Sequence, residues 1–337
     1  MNSSFTWRYG VGNDTKVEEL MKTADFSRRD LLRASGALGL AAAVPVSLSA
    51  AGLNAAEGEN ASGEKTALAS PLSPLKPPAG GPVPVAFPIS QGAVLIDFVG
   101  PWEVFLNATV PGHGMMDSAF NTYTVAETTD PVTAGGIKII PDYTFRNAPA
   151  PKVVVIPAQS DPTSAMLDWL RGAARNADLT MAVCTGAFVL AATGLLDGKA
   201  ATTHHSAYSD LQLKYPDVRV QRGARFVEEG NIATAGGLTS GIDLALRVVG
   251  RYFGPEAIER TAFQLEYQGK GWTDAKSNSV FAVKPAGDIC AVCWMQVDRK
   301  SAPSSVYKGQ TYYFCMKSHK DAFDAKPEPY IELLLKS

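Results

Sequence analysis

The sequence predicts a doubly wound α/β domain with a mostly parallel sheet, followed by a small second unit. Three observations carry that reading. The apolar runs Val83-Pro84-Val85-Ala86-Phe87 and Lys152-Val153-Val154-Val155-Ile156 are continuous rather than alternating, as suits strands buried on both faces of a parallel sheet. Helix-like stretches such as Ser164–Asn176 and Gly241–Tyr252 alternate with strand-like runs, the pattern of βαβ units. Finally, the run Leu179 to Val183 stops at Cys184 and passes straight into a second helix-like stretch. A strand that turns into a helix through one reactive side chain presents it beyond the carboxyl edge of the sheet, where such folds build their sites.

Composition bounds the rest. A length of 337 residues suffices for one full α/β domain and a smaller unit. A formal charge of −2 offers no basic excess for nucleic acid or an anionic membrane. Four cysteines are too few for a disulfide framework, so each needs its own explanation.

Along the chain, residues 1–56 read as a targeting segment. Ser27-Arg28-Arg29-Asp30-Leu31-Leu32-Arg33 precedes an apolar stretch from Ala34 to Ala51, which resembles a Tat-type signal and implies periplasmic export by the Tat machinery. Gly36, Gly39 and Pro45 argue against a permanent membrane anchor, because a spanning helix needs about 20 predominantly apolar residues. The stretch before Ser27 is long and mixed in charge, which leaves Met21 as an alternative start. Residues 57–81 are rich in Gly, Ser, Ala and Pro and read as a flexible linker. The α/β domain is expected over 82–272, a polar linker over 273–284, and the second unit over 285–337.

Two readings of Cys184 stand on the residues alone. At a helix start, unpaired N–H groups and the macrodipole favour a thiolate nucleophile, with an apparent pKa below the ~8.5 of a free thiol. The alternative is a small buried hydrophobe. Asp97 ends the strand-like run Val94-Leu95-Ile96 before the Gly100-Pro101 turn. It reads either as a proton shuttle with a raised pKa or as the cap of a helix starting near Pro101. The backbone N–H of Thr185 is placed to stabilise developing negative charge. His204 and His205 form the other polar cluster, suited to act as a base or to stabilise a thiolate. Gly236-Gly237 and Asp243 read as a glycine turn and a helix start.

Taken in order, Val94–Phe105, Val183-Cys184-Thr185-Gly186, Gly194–His205, Ile232–Leu246 and Phe263–Tyr267 closely resemble the ThiJ/PfpI superfamily. The resemblance runs from about Val83 to Tyr267 and implies a flavodoxin-like, class I glutamine amidotransferase-like fold. It points to the branch holding isonitrile hydratase and the ligand-sensing halves of AraC-type regulators. It implies that Cys184 is the nucleophile, Asp97 its acidic partner, Thr185 the residue that follows it, and His204 the histidine placed after a Thr-Thr pair. One departure stands out. The family's Pro-Gly-Gly after the strand Val153–Ile156 is Pro157-Ala158-Gln159-Ser160 here, so that Gln159 is a candidate to protrude into the pocket.

Beyond Trp272, Asp288–Asp298 and Tyr307–Phe323 resemble a YHS domain, a small metal-associated α+β module. Cys290 and Cys293 form a C-x-x-C pair, and Cys315 with His319 a C-x-x-x-H pair. Four such ligands suit tetrahedral zinc, with copper or iron as alternatives; a disulfide among the three cysteines is the competing reading. So small a unit has little core of its own, so a structural metal would stabilise it directly, and its removal is expected to unfold about 285–330 alone. The cysteine chemistry itself needs no cofactor. The expected protein is an exported homodimer that hydrates a small isocyanide-type substrate through Cys184. The alternative is a non-catalytic periplasmic ligand- or metal-sensing module.

Overall fold

A computed structural model describes residues 70–111 and 118–335; the twin-arginine segment lies outside them. In chain order the main domain comprises strand β1 (Val83–Pro88), helix α1 (Leu95–Leu106), β2 (Phe120–Ala126), β3 (Val132–Ala134), β4 (Ile137–Ile139), β5 (Tyr143–Thr144) and β6 (Val153–Ile156). It continues through α2 (Ser164–Ala174), β7 (Leu179–Val183), α3 (Gly186–Ala192), β8 (Ala200–Ala201), α4 (Tyr208–Lys214), β9 (Arg219–Val220), β10 (Phe226–Glu229) and β11 (Ile232–Ala235). It ends with α5 (Ser240–Phe253) and α6 (Pro255–Gln264).

Seven strands form the central sheet in the order β10-β11-β7-β6-β1-β2-β5. Every pairing is parallel except that of β10 with β11. The continuous apolar runs are explained by two cores, one on each face. Val153 and Val155 of β6 pack into a core with α1, α5 and α6, whereas Val154 and Ile156 pack into a second core with α2, α3 and α4. With both faces buried there is no polar side to alternate with.

The C-terminal unit consists of a Cys290–Cys293 turn, the antiparallel hairpin β12 (Ser304–Tyr307) and β13 (Gln310–Tyr313), and helices α7 (Lys317–Ala325) and α8 (Pro327–Leu335). Its core gathers Cys290, Val292, Phe314, Phe323 and Tyr330, joined by Leu213 of α4. Among the described residues no helix is long and apolar enough to cross a membrane.

Three sequence expectations are corrected. The run Val94–Asp97 is not a strand: α1 begins at Leu95, and its buried positions Asp97, Phe98, Pro101, Val104 and Phe105 follow helical spacing. Pro101 is accommodated within that helix, so Asp97 lies in its first turn and caps nothing at Pro101. The described part of the 57–81 linker is strapped to α5. Fully buried Arg247 donates to the carbonyls of Ser70, Pro71 and Trp272 at 3.0, 2.9 and 3.2 Å and to Glu228 Oε2 at 2.8 Å. Arg251 holds the Ser73 carbonyl at 2.8 Å. The 273–284 segment is likewise bound down, because Arg225 contacts both the Ala275 carbonyl and the Asn278 side chain.

Arg247 therefore joins four distant parts of the chain, and removing it strands three carbonyls and leaves Glu228 only the longer pair with Arg251 at 3.4 Å. Arg247→Leu is expected to lower unfolding free energy by about 3–5 kcal/mol, read from the urea midpoint; an unchanged midpoint would contradict the hub.

Candidate functional site

Cys184 occupies the turn between β7 and α3 with φ +58°, a left-handed backbone that non-glycine residues rarely adopt. The surrounding chain holds it there. Its N–H donates to the Gly236 and Ala235 carbonyls at 2.9 and 3.2 Å, and its own carbonyl accepts the Thr203 hydroxyl at 2.8 Å. Gly186 completes the motif for a steric reason: a Cβ there would stand 2.3 Å from the Ile156 carbonyl oxygen, so only glycine lets α3 start against the end of β6. The facing turn contains a second strained residue, Leu238, with φ +54°. The amides of Thr185 and Leu238 both hydrogen-bond the Cys184 thiol and favour its anion.

Asp97 is fully buried beside that thiol, and its Oδ2 accepts the Ala158 amide at 3.2 Å. Burial pushes the Asp97 carboxyl up from 3.8 to about 6 against the pull of that amide. Burial, and then the adjacent Asp97 charge, push the Cys184 thiol up to about 12. The thiol pKa expected from the sequence, below that of a free thiol, is thus corrected. The reason is physical: α3 has only seven residues and the cysteine is 8% exposed, so desolvation and a neighbouring carboxylate outweigh the helix start. Thiol and carboxyl titrate as a unit: the carboxylate raises the proton affinity of sulfur, while the hydrogen bond from the thiol partly offsets the burial that raises Asp97.

His204 is not joined to this pair; among the described residues no hydrogen bond links it to Cys184. Its Nδ1 meets the Ser206 hydroxyl at 2.8 Å and caps the 3-10 turn His205–Ala207. Its ring packs on Gly237, where a Cβ would lie 2.1 Å from His204 Cδ2. The ring of His205 lies tilted against His204 at 4.2 Å and stacks on Phe281 at 4.3 Å. Burial lowers the pKa of both histidines. Gln159 does not reach outward, because its Nε2 donates to the Pro88 carbonyl at 3.2 Å. The Ala158 amide, in the loop that departs from the family pattern, is committed to Asp97. Asp243, read as structural, is fully buried and receives Arg225, the Tyr267 hydroxyl and the Trp272 amide.

Sequence reasoning missed Leu238 and Thr203. Thr203 had a signal, the Thr-Thr pair before the histidines. Leu238 had only its place after Gly236-Gly237.

In the C-terminal unit the ligand atoms of Cys290, Cys293, Cys315 and His319 all lie within 4.8 Å of one another. Cys293 Sγ is 3.5 Å from Cys315 Sγ, and His319 Nδ1 is 3.2 Å from Cys315 Sγ and 3.5 Å from Cys290 Sγ. Tetrahedral Zn–S bonds of ~2.3 Å place sulfurs about 3.8 Å apart, so the donor set can hold a metal ion with little adjustment. All three cysteines are free thiols here. Hydrogen bonds with Cys293, and then with the His319 ring, hold Cys290 well below the usual thiol range, which readies a thiolate ligand. Asp210 of α4 reaches across to accept the Tyr330 hydroxyl at 3.2 Å.

Two outcomes follow from the buried pair. Asp97→Asn removes the charge that raises the thiol, so the Cys184 alkylation pKa should fall; an unchanged titration would mean that Asp97 does not act on sulfur. The raised carboxyl pKa also withholds stability: the folded state is favoured most below pH 3.8 and loses that advantage as pH rises through about 6. At ~1.4 kcal/mol per pKa unit, Asp97→Asn should therefore gain on the order of 1–3 kcal/mol at neutral pH. Denaturation at pH 7 and pH 4 should show the gain shrinking at the lower pH.

Comparison with known proteins agrees with this architecture. Residues 83–251 match the DJ-1/PfpI family and residues 291–333 match the YHS domain. The chain is 35% identical over 178 residues to isonitrile hydratase of Pseudomonas putida, covering 51% of this chain and 73% of that protein. It is 38% identical over 103 residues to the HTH-type transcriptional regulator CdhR of Pseudomonas aeruginosa, covering 31% of this chain but only 30% of the regulator. The crystal structure of a ThiJ/PfpI family protein from Pseudomonas syringae superposes with a TM-score of 0.50 at 27% identity, over 56% of this chain and 77% of that one. With the doubly wound sheet and the strained cysteine turn already in place, this match across half of its length means that the chain belongs to the DJ-1/PfpI family.

Proposed function

We propose that the chain is an exported, cysteine-dependent hydratase of small isocyanides. The observation that carries the reading is the buried Asp97 carboxyl beside the Cys184 thiol on its strained turn, a nucleophile paired with its own proton carrier. Identity with isonitrile hydratase supports it, and the twin-arginine segment supports export.

The thiol proton passes to the Asp97 carboxylate as Sγ adds to the terminal carbon of R–N≡C. Asp97 then delivers that proton to the same carbon, leaving an S-linked thioimidate. Water adds to this carbon, the C–S bond breaks, and the thiol recovers a proton. The sum is R–NC plus water giving an N-substituted formamide. The Thr185 and Leu238 amides favour charge on sulfur while the proton is on Asp97. His204 positions the Gly237-Leu238 turn rather than moving a proton. A second reading, a non-catalytic sensing module, has support in the identity with CdhR over the same domain.

A panel of isocyanides, nitriles, aldehydes and amides decides between them. Formamide should form only from isocyanides, and Cys184→Ala should abolish it; binding without product would favour the sensor. Asp97→Asn should reduce kcat/KM by about 10²–10⁴-fold. Because the carboxylate form must accept the thiol proton, wild-type kcat/KM should fall as pH drops through about 6. That limb should vanish in the residual activity of the variant.

In the C-terminal unit we assign structural zinc, since four protein ligands close the tetrahedron whereas a catalytic zinc keeps a position open. Protein purified without added metal should hold one zinc per chain by elemental analysis. Chelation should melt residues 285–330 and leave Cys184 labelling intact, because both α/β cores are built without that segment. One disulfide and no metal would overturn the assignment.

A further inference from the structure

A cavity of about 590 Å³ lies where the α/β domain meets the C-terminal unit, walled by Tyr208 and Arg222 on one side and by Phe281, Val283, Trp294 and Met295 on the other. That volume is in the range of small-molecule sites. None of its lining residues is acidic.

Arg222 is the anomaly in that wall. Neighbouring arginines each have a carboxylate partner: Arg225 pairs with Asp243, and Arg247 and Arg251 share Glu228. Arg222 is half-buried yet, among the described residues, forms no ion pair; its Nη2 donates to the Ser209 hydroxyl at 2.9 Å. Its guanidinium lies 3.7 Å above the Trp294 ring and 5.3 Å from that of Tyr208. Trp294 reaches it by taking up φ +66° directly after Cys293, so the turn that carries the metal ligands also places an indole over the cation. Stacking and the single bond to Ser209 leave the other N–H donors of the planar guanidinium at its edge, and two such donors match a carboxylate bidentately. The remaining wall is largely apolar, with His205 and Gln296 as its other polar residues: Val280 and Val283 are 71% and 68% exposed, and Phe281 presents a ring.

We propose that this cavity binds a small aromatic carboxylate, with its carboxylate on Arg222 and its ring against Phe281 and Val283. The site is separate from Cys184. Cys293 also lines the wall, so the ligand lies beside the metal centre, and both domains contribute to it.

The test is calorimetric titration of the full, metal-loaded chain with 2-naphthoate, 2-naphthamide and inorganic phosphate. Saturable one-site binding of 2-naphthoate, at least about ten-fold tighter than the amide or phosphate, is expected. Arg222→Gln should erase the preference for acid over amide. Because Val283 is exposed, Val283→Asp tests the same site without disturbing a core, and it should weaken 2-naphthoate by about ten-fold while sparing 2-naphthamide. Absence of saturable 2-naphthoate binding, equal binding of acid and amide, tighter phosphate binding, or an unchanged preference in both variants would each overturn the proposal.

Discussion

The left-handed backbone of Cys184 is the constraint on which the site depends. Nothing in the cysteine itself favours φ +58°; it is imposed by the Gly236 carbonyl on one side and the Thr203 hydroxyl on the other. The Gly236 anchor sits just past β11, which pairs in register with β7, while Thr203 follows β8 outside the central sheet, so the β7–β11 register and the β8 crossing together set the thiol's direction. Gly186 and Gly237 then allow two close approaches, of α3 to β6 and of His204 to the Leu238 turn. Strain of this kind persists only where the surrounding structure over-determines it, and here three separate segments do so.

Electrostatics at the turn run opposite to what a helix start alone would suggest. Desolvation dominates both Asp97 and Cys184, and a short helix contributes only the Thr185 amide against it. A thiol that is mostly protonated at rest is protected from adventitious oxidation, since susceptibility follows thiolate character. It gains nucleophilicity only when its proton has somewhere to go. In the proposed hydratase, Asp97 would offer that place within the same dry environment, its affinity for a proton raised by burial to about 6.

Much of this was legible in the sequence, for identifiable reasons. Buried parallel strands leave unbroken apolar runs, and a strand-to-helix switch at one cysteine leaves a sharp boundary, so the sheet and Cys184 could be read directly. The gathering of Cys290, Cys293, Cys315 and His319 was legible from spacing, because a C-x-x-C and a C-x-x-x-H pair each bring two donors onto one turn. Asp97 was legible only by resemblance: its run looked like a strand because Val94 to Phe98 is apolar apart from Asp97, while the helical spacing becomes visible only when Val104 and Phe105 are counted. Leu238 left no trace, since a positive φ in a leucine has no compositional signature. The straps on 70–75 were hidden too, although Arg247 and Arg251 stand four apart in a helix whose other interior residues are apolar except Asp243, a signal that buried cations sought partners from elsewhere.

The partners Arg247 found have a consequence for synthesis. The arginine sits at the centre of contacts to Ser70, Pro71, Glu228 and Trp272. A ribosome releases the first three before Arg247 itself, but Trp272 follows it. Until that residue emerges, the guanidinium has one carbonyl too few and the domain's inner face stays unlatched. The nascent chain therefore completes its main core only after the last segment of the α/β domain is made, so that the order of translation and the order of closure coincide.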